Sequence, residues 1–128
     1  MAADFFTSSH TKRVITNMDE MVRHIKKKGY KTAVVSNTQS DIVESILNKF
    51  DIKKYFDIIV GGERVKHGKP NPEIVHIACK ELKIKPGESI LVGDTIYDKG
   101  AAEAAGCRFI GYKLDKDIED MIEIKDRV

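Results

Sequence analysis

The 128-residue sequence predicts an α/β fold, a parallel sheet with helices on both of its faces. Short apolar runs alternate along the chain with segments whose apolar residues recur at helical spacing. The apolar runs are continuous rather than alternating, which is typical of strands that are buried on both sides. Hydrophobic residues make up 41% and charged residues 33% of the sequence, an ordinary composition for a single domain with a real core.

The predicted elements follow one another in a regular order. An amphipathic helix runs through Met18 and Ile25, capped by Asn17 or Asp19 and ended by Gly29. Buried strands are predicted over residues 30–35, 56–60, 89–92 and 108–110. Further helices are predicted over residues 41–50, 72–82 and 99–105, and a C-terminal amphipathic helix around residues 118–122. In a parallel sheet of this kind, which is Rossmann-like, ligands bind at the carboxyl ends of the strands.

Composition excludes several classes of function. The net charge is only +2, and the densest basic run, residues 26–28, lies where a helix end favours cations, so we expect no nucleic-acid partner. No apolar stretch approaches the length of a membrane span, and the first residues lack a signal-peptide pattern. Cys79 and Cys107 lack the spacing of a metal or redox motif, which favours reduced core thiols in a cytoplasmic protein.

Two acidic residues follow the predicted strand at residues 89–92. Gly93 ends the apolar run, and Asp94 and Asp98 come next, four residues apart. Carboxylate oxygens in a glycine-opened turn are ligands that suit Mg²⁺, and two such acids would repel each other without a cation or a proton. The alternative interpretation is that one of the two acids only caps the next helix.

Polar residues also follow the predicted strand at residues 30–35. Ser36, Asn37 and Thr38 precede a helix, where they either cap its N-terminus or, together with the helix N–H groups, hold an anion such as phosphate.

A lysine precedes a third helix. Lys69 lies just before Asn71, a good N-cap, and Pro72, which suits a first helical position. Its charge and the helix N-terminus together would stabilise a phosphoryl group. The alternative is an exposed loop lysine, and the neighbouring His67 is expected to be a solvated loop residue.

Three segments of this sequence resemble the motifs of one known family. VVSNT (residues 34–38), GKPNP (68–72) and VGDTIYD (92–98) closely resemble motifs II, III and IV of the haloacid dehalogenase superfamily. The run GAAEAAGC (100–107) is most similar to its phosphoglycolate-phosphatase-like branch. The resemblance covers roughly residues 14–114. It implies a single haloacid-dehalogenase-like core over residues 1–128 that lacks the family's cap domain.

The resemblance also implies a reaction. The chain would be a Mg²⁺-dependent phosphatase that acts on a small phosphorylated metabolite, similar to phosphoglycolate. Ser36, with Asn37, would bind the phosphoryl group, Lys69 would neutralise it, and Asp94 and Asp98 would hold Mg²⁺. An aspartate of motif I would take the phosphoryl group before water releases it.

Motif I has no good match in this sequence. Asp4, in the segment DFFTS, is a weak candidate for the nucleophile, with only three residues before it. Residues 1–16 are interpreted as a remnant of the first strand or of a cap. Three arrangements are open for the centre of the sheet: a stub strand near residues 2–7, a strand from a second chain in a homodimer or other complex, or closure into four strands.

A second hypothesis follows from the missing motif. Without its nucleophile, the chain would be a catalytically silent domain or fragment of the same superfamily, serving as a binding or assembly module. Its site, having no cap, would be open to water.

Overall fold

Five parallel strands form one sheet within the part of the chain that is described. The structure, a computed structural model, describes residues 17–114 and 117–127 together with the backbone of residues 2–6. The strands are β1 (Ala2–Phe6), β2 (Lys31–Val35), β3 (Ile58–Val60), β4 (Ser89–Gly93) and β5 (Arg108–Gly111). Their order across the sheet is β3-β2-β1-β4-β5.

The N-terminal strand β1 lies in the centre of the sheet. It pairs in parallel with β2 from Ala2 opposite Lys31 to Phe6 opposite Val35, and with β4 on its other side. Of the three arrangements proposed for the sheet centre, the stub strand is therefore confirmed, and closure into four strands is wrong. Backbone pairing on both sides stabilises even this short segment.

In the described part of the chain, four α-helices cover the two faces of the sheet. They are α1 (Met18–Lys27), α2 (Ser40–Lys49), α3 (Glu73–Leu82) and α4 (Ile96–Ala105). Buried residues of α1 and α2 pack in one core with Val34, and those of α3 and α4 pack in a second core with Ala33 and Val35. Successive strand residues thus face opposite cores, as the alternation of side chains along a buried strand requires. The predicted α/β fold with helices on both faces is confirmed.

Two predicted helix boundaries need correction. Asn17 precedes α1 but lies in the left-handed region, with φ of 62°, and makes no side-chain cap. Its amide instead donates to the carboxylate of Asp120 at 2.8 Å, because the C-terminal segment packs against this end of the helix. The C-terminal helix is a short 3₁₀ helix, Met121–Asp126, and Ile118 lies before it in a bridge to Tyr112.

No helix in the described part of the chain is long and apolar enough to cross a membrane.

Candidate active site at the carboxyl edge of the sheet

The loops after β2 and β4 and the loop before α3 meet at the carboxyl edge of the sheet. Ser36 follows β2 directly, and its main-chain N–H donates to the carbonyl of Val60 at 3.0 Å. Lys69 reaches this edge from the loop before α3, and its ammonium donates to the carbonyl of Val35 at 3.3 Å. The structure therefore brings the residues of the three predicted motifs together.

A buried ion pair joins two of the motifs. The ammonium of Lys69 donates to Oδ1 of Asp98 at 3.0 Å, and both side chains are 0% exposed. Burial lowers the pKa of Lys69 to about 8, against the opposing charge and hydrogen bond of Asp98. Burial likewise raises the pKa of Asp98, against the opposing effects of Lys69 and Thr95. Lys69 is therefore a buried residue and not an exposed loop lysine.

Both oxygens of the Asp98 carboxylate have partners. While Oδ1 accepts from Lys69, Oδ2 accepts from the main-chain N–H and the hydroxyl of Thr95, at 3.1 and 2.8 Å. The Thr95 hydroxyl in turn accepts from the N–H of Asp98 at 3.2 Å, which completes a capping box at the start of α4. Asp98 thus takes part in the helix cap, the alternative that the sequence left open, and α4 begins at Ile96 rather than at residue 99.

Gly93 makes this arrangement sterically feasible. A Cβ added to Gly93 would overlap the Cβ of Asp98 and would lie 2.6 Å from its Oδ2. The Asp98 side chain can therefore fold back over the end of β4 only because residue 93 lacks a side chain.

Asp94 differs from Asp98 in having a carboxylate oxygen without a partner. Its Oδ1 is buried and accepts no hydrogen bond from any residue that the structure describes. A buried carboxylate oxygen without a donor is costly unless a cation or a proton joins it, and a hard oxygen ligand suits Mg²⁺. No cluster of three or more acidic, histidine or cysteine side chains that could hold a metal ion exists among the described residues. The Asp94 carboxylate therefore fits the role of one oxygen ligand in a magnesium site.

The side chain of Asn37 contacts Lys69. Its Oδ1 accepts the main-chain N–H of Lys69 at 2.9 Å, and its Nδ2 points at the Lys69 carbonyl at 3.5 Å. The Asn37 side chain, which was predicted to help bind phosphate, is therefore already engaged with the neighbouring loop.

The N-terminus of α2 is occupied by an acidic side chain that the sequence analysis missed. The carboxylate of Glu63 accepts the main-chain N–H of Ser40 at 2.8 Å and the hydroxyl of Ser40 at 2.5 Å. These hydrogen bonds lower the pKa of Glu63. The prediction that the N–H groups of this helix hold phosphate is therefore wrong for Ser40, because its N–H already donates to Glu63. Glu63 lies 23 residues away in sequence, so no local pattern reveals it.

The loop before α3 follows the prediction closely. Asn71 Oδ1 accepts the N–H of Glu73 at 2.9 Å, and α3 starts directly after Pro72. His67 is exposed, as expected for a solvated loop residue.

Comparison with known proteins identifies the family. The family model for haloacid dehalogenase-like hydrolases matches residues 3–112. The chain belongs to this family. One curated relative is the provisionally named pyrophosphatase PpaX of Caldanaerobacter subterraneus subsp. tengcongensis. It is 35% identical over 101 residues, which cover 79% of this chain and 46% of the relative. Phosphoglycolate phosphatase of Escherichia coli K12 is 31% identical over 100 residues, 78% of the chain and 40% of the relative.

Solved structures agree with this assignment. A haloacid dehalogenase superfamily hydrolase of subfamily IA from Geobacter sulfurreducens has a TM-score of 0.80 at 30% identity, covering 88% of this chain and 59% of its own. A predicted phosphoglycolate phosphatase from Haemophilus somnus has a TM-score of 0.80 at 28% identity, covering 87% of this chain and 55% of its own. The resemblance to the phosphoglycolate-phosphatase-like branch is thus confirmed. The chain spans less than half the length of the two curated relatives named above.

The strand register places Asp4, the weak candidate for the nucleophile, away from the carboxyl end of β1. In the strand register, Asp4 is opposite Ala33 and Leu91, each three residues before Ser36 and Asp94 respectively. Three strand residues correspond to about 10 Å, so Asp4 is an interior residue of β1 and is not brought to the edge with the other site residues. Thr7 and Ser8, the other residues quoted for motif I, lie outside the described residues.

Proposed function

We propose that this chain provides the metal- and phosphate-binding core of a Mg²⁺-dependent phosphatase of the haloacid dehalogenase type, acting on a small phosphorylated metabolite. The observation that carries the proposal is the pairing of the buried Lys69 ammonium with Asp98, at the edge where Asp94 has an unpartnered carboxylate oxygen. The names of the relatives, a phosphoglycolate phosphatase and a provisionally named pyrophosphatase, support a small phosphate ester or anhydride as substrate.

Each residue has a distinct role in this proposal. Asp94 would hold Mg²⁺, which when bound supplies Lewis-acid stabilisation of the phosphate charge. Lys69 provides a fixed positive charge for the phosphoryl group, and Ser36 provides a hydroxyl just after the end of β2, since its main-chain N–H is already bonded to Val60. Asp98 holds Lys69 in place, and its negative charge and hydrogen bond favour the protonated form of Lys69.

The register of Asp4 favours a second function, phosphate binding without turnover. Enzymes of this kind lower the barrier for phosphate-ester hydrolysis by about 20 kcal/mol or more. Where covalent machinery is removed from other enzymes, binding and electrostatics alone leave an acceleration of roughly 10³ to 10⁴. No acidic residue is described at the carboxyl end of β1. This chain would therefore by itself bind Mg²⁺ and phosphate but turn over little substrate.

Turnover of a chromogenic phosphate ester with Mg²⁺ tests the two functions. The wild-type chain, Asp94→Asn and the control Asp51→Asn are compared, because Asp51 is an exposed acid near the opposite end of α2. For the phosphatase we expect turnover in the wild type and the control, and a loss of at least about 100-fold in Asp94→Asn. Equal rates in all three would refute it and indicate a contaminant. No turnover, combined with Mg²⁺-dependent phosphate binding by calorimetry, would establish the binding function instead.

A further inference from the structure

We propose that Asn37 is a positioning residue that fixes Lys69 at the candidate active site, rather than a direct ligand of the phosphoryl group. The inference rests on the proposed function, because its main test measures phosphate binding.

The first observation is that Asn37 contacts both main-chain groups of Lys69. Its Oδ1 accepts the Lys69 N–H at 2.9 Å, and its Nδ2 lies 3.5 Å from the Lys69 carbonyl oxygen. A side-chain amide offers one acceptor and two donors, so this arrangement matches the donor and the acceptor of a single residue. It fixes the direction in which the side chain of Lys69 leaves the loop.

The second observation is that Lys69 is also held at the other end of its side chain. The ammonium donates to Oδ1 of Asp98 at 3.0 Å and to the carbonyl of Val35 at 3.3 Å. Val35 and Asn37 are the residues on either side of Ser36. The end of β2 therefore contacts both the ammonium and the backbone of Lys69, which sets the lysine in a defined place relative to Ser36.

The third observation is that two glycines let the connection between β3 and α3 approach Asn37 at two points. A Cβ added to Gly68 would lie 2.7 Å from Asn37 Oδ1 and 3.0 Å from its Cγ. A Cβ added to Gly62 would overlap the main-chain carbonyl of Asn37. So close an approach of the backbone at two points is expected where the conformation of Asn37 is itself under constraint.

Asn37 is nevertheless exposed, so a phosphate could also contact it directly. A double-mutant cycle separates this direct contact from the positioning of Lys69. Inorganic phosphate affinity, with Mg²⁺ present, is measured by calorimetry for the wild type and for Asn37→Ala. Both are then repeated in a background carrying Lys69→Met and Asp98→Asn, which removes the ammonium without leaving Asp98 charged and unpaired.

A positioning role predicts that Asn37→Ala weakens phosphate binding three- to tenfold in the wild-type background, and less than twofold where Lys69 has been replaced. The same weakening in both backgrounds would show a direct contact and would overturn the proposal, as would an unchanged affinity in Asn37→Ala itself. Gly68→Ala should weaken phosphate binding in the same direction, whereas Gly87→Ala, where a Cβ meets nothing within 4 Å, should leave the affinity unchanged.

Hydrogen exchange of the Lys69 amide provides a readout that needs no bound phosphate. If Asn37 holds this N–H, Asn37→Ala should speed its exchange at least tenfold while core amides of α3 keep their rates. If the wild-type chain binds no phosphate, the proposed function fails, and amide exchange alone decides on the role of Asn37. An unchanged exchange rate at Lys69 would overturn the inference in either case.

Discussion

Substitution of Gly93 by alanine provides a direct test of how β4 and α4 build the site. The added Cβ would overlap the Cβ of Asp98 and would lie 2.7 Å from its Cγ. Because the obstructing atom is close to the helix backbone rather than at a flexible side-chain end, the first turn of α4 must move. Overpacking of this kind costs about 1–3 kcal/mol, and disturbing the Thr95–Asp98 cap adds about 1 kcal/mol.

The expected loss is therefore about 3 kcal/mol of the free energy of unfolding. A 128-residue domain has an unfolding entropy near 2.1 cal/mol/K per residue, so the melting temperature should fall by roughly 10 °C. Calorimetry or circular dichroism measures this shift, and Gly87→Ala is the matched control, because it adds the same methyl group in open space. A Gly93→Ala variant that melts within about 2 °C of the wild type would refute the reasoning, since it would show that Asp98 does not need this space.

Three further substitutions test the charges around the site and the sheet. Without a metal, Asp94→Asn should keep or raise the melting temperature, because it replaces a buried carboxylate oxygen that lacks a hydrogen-bond donor. Mg²⁺ should raise the melting temperature of the wild type and leave that of Asp94→Asn unchanged. A wild-type melting temperature that does not rise with Mg²⁺ would contradict the metal site. Glu63→Gln should lower the urea midpoint, since a neutral amide caps α2 less well than the carboxylate that accepts from Ser40; an unchanged midpoint would refute this. Burial raises the pKa of Asp57, but the hydrogen bonds from Lys26 and Thr32 together outweigh it and lower this pKa below its usual 3.8. The ionised Asp57 therefore stabilises the fold above pH 3.8, and this stabilisation is lost as the pH falls below 3.8. Asp57→Asn should accordingly flatten the fall in stability between about pH 5 and pH 2, and an unchanged pH profile would contradict the assignment.

Local patterns predicted much of the fold because most strands and helices carry their own signals. The apolar runs and the glycine stops located β2 and β4 to within one residue. The strand β1 was harder to predict, since its five residues gain their structure from pairing with β2 and β4, which lie far away in sequence. Its central position could be anticipated only from the family resemblance.

The site residues were predicted better than their roles. Placing polar residues after parallel strands was sufficient to bring Ser36, Lys69 and Asp98 to one edge. Whether a given carboxylate binds a metal, caps a helix or pairs with a lysine depends on partners from other loops. Asp98 is an example, because its partner Lys69 is 29 residues away. The same limit applies to Glu63, whose partner Ser40 is the first residue of α2, 23 residues away.

If Mg²⁺ and phosphate bind as proposed, the charges at this edge of the sheet couple the binding of one to the binding of the other. Among the described site residues, the carboxylates of Asp94 and Asp98 outnumber the single ammonium of Lys69, and that ammonium is already paired. A phosphate dianion approaching this edge would therefore meet an excess of negative charge, and an unpartnered oxygen of Asp94 would repel it. A divalent cation at Asp94 reverses the sign of that interaction. Because coupling between two ligands is reciprocal, phosphate must then strengthen Mg²⁺ binding by the same factor by which Mg²⁺ strengthens phosphate binding.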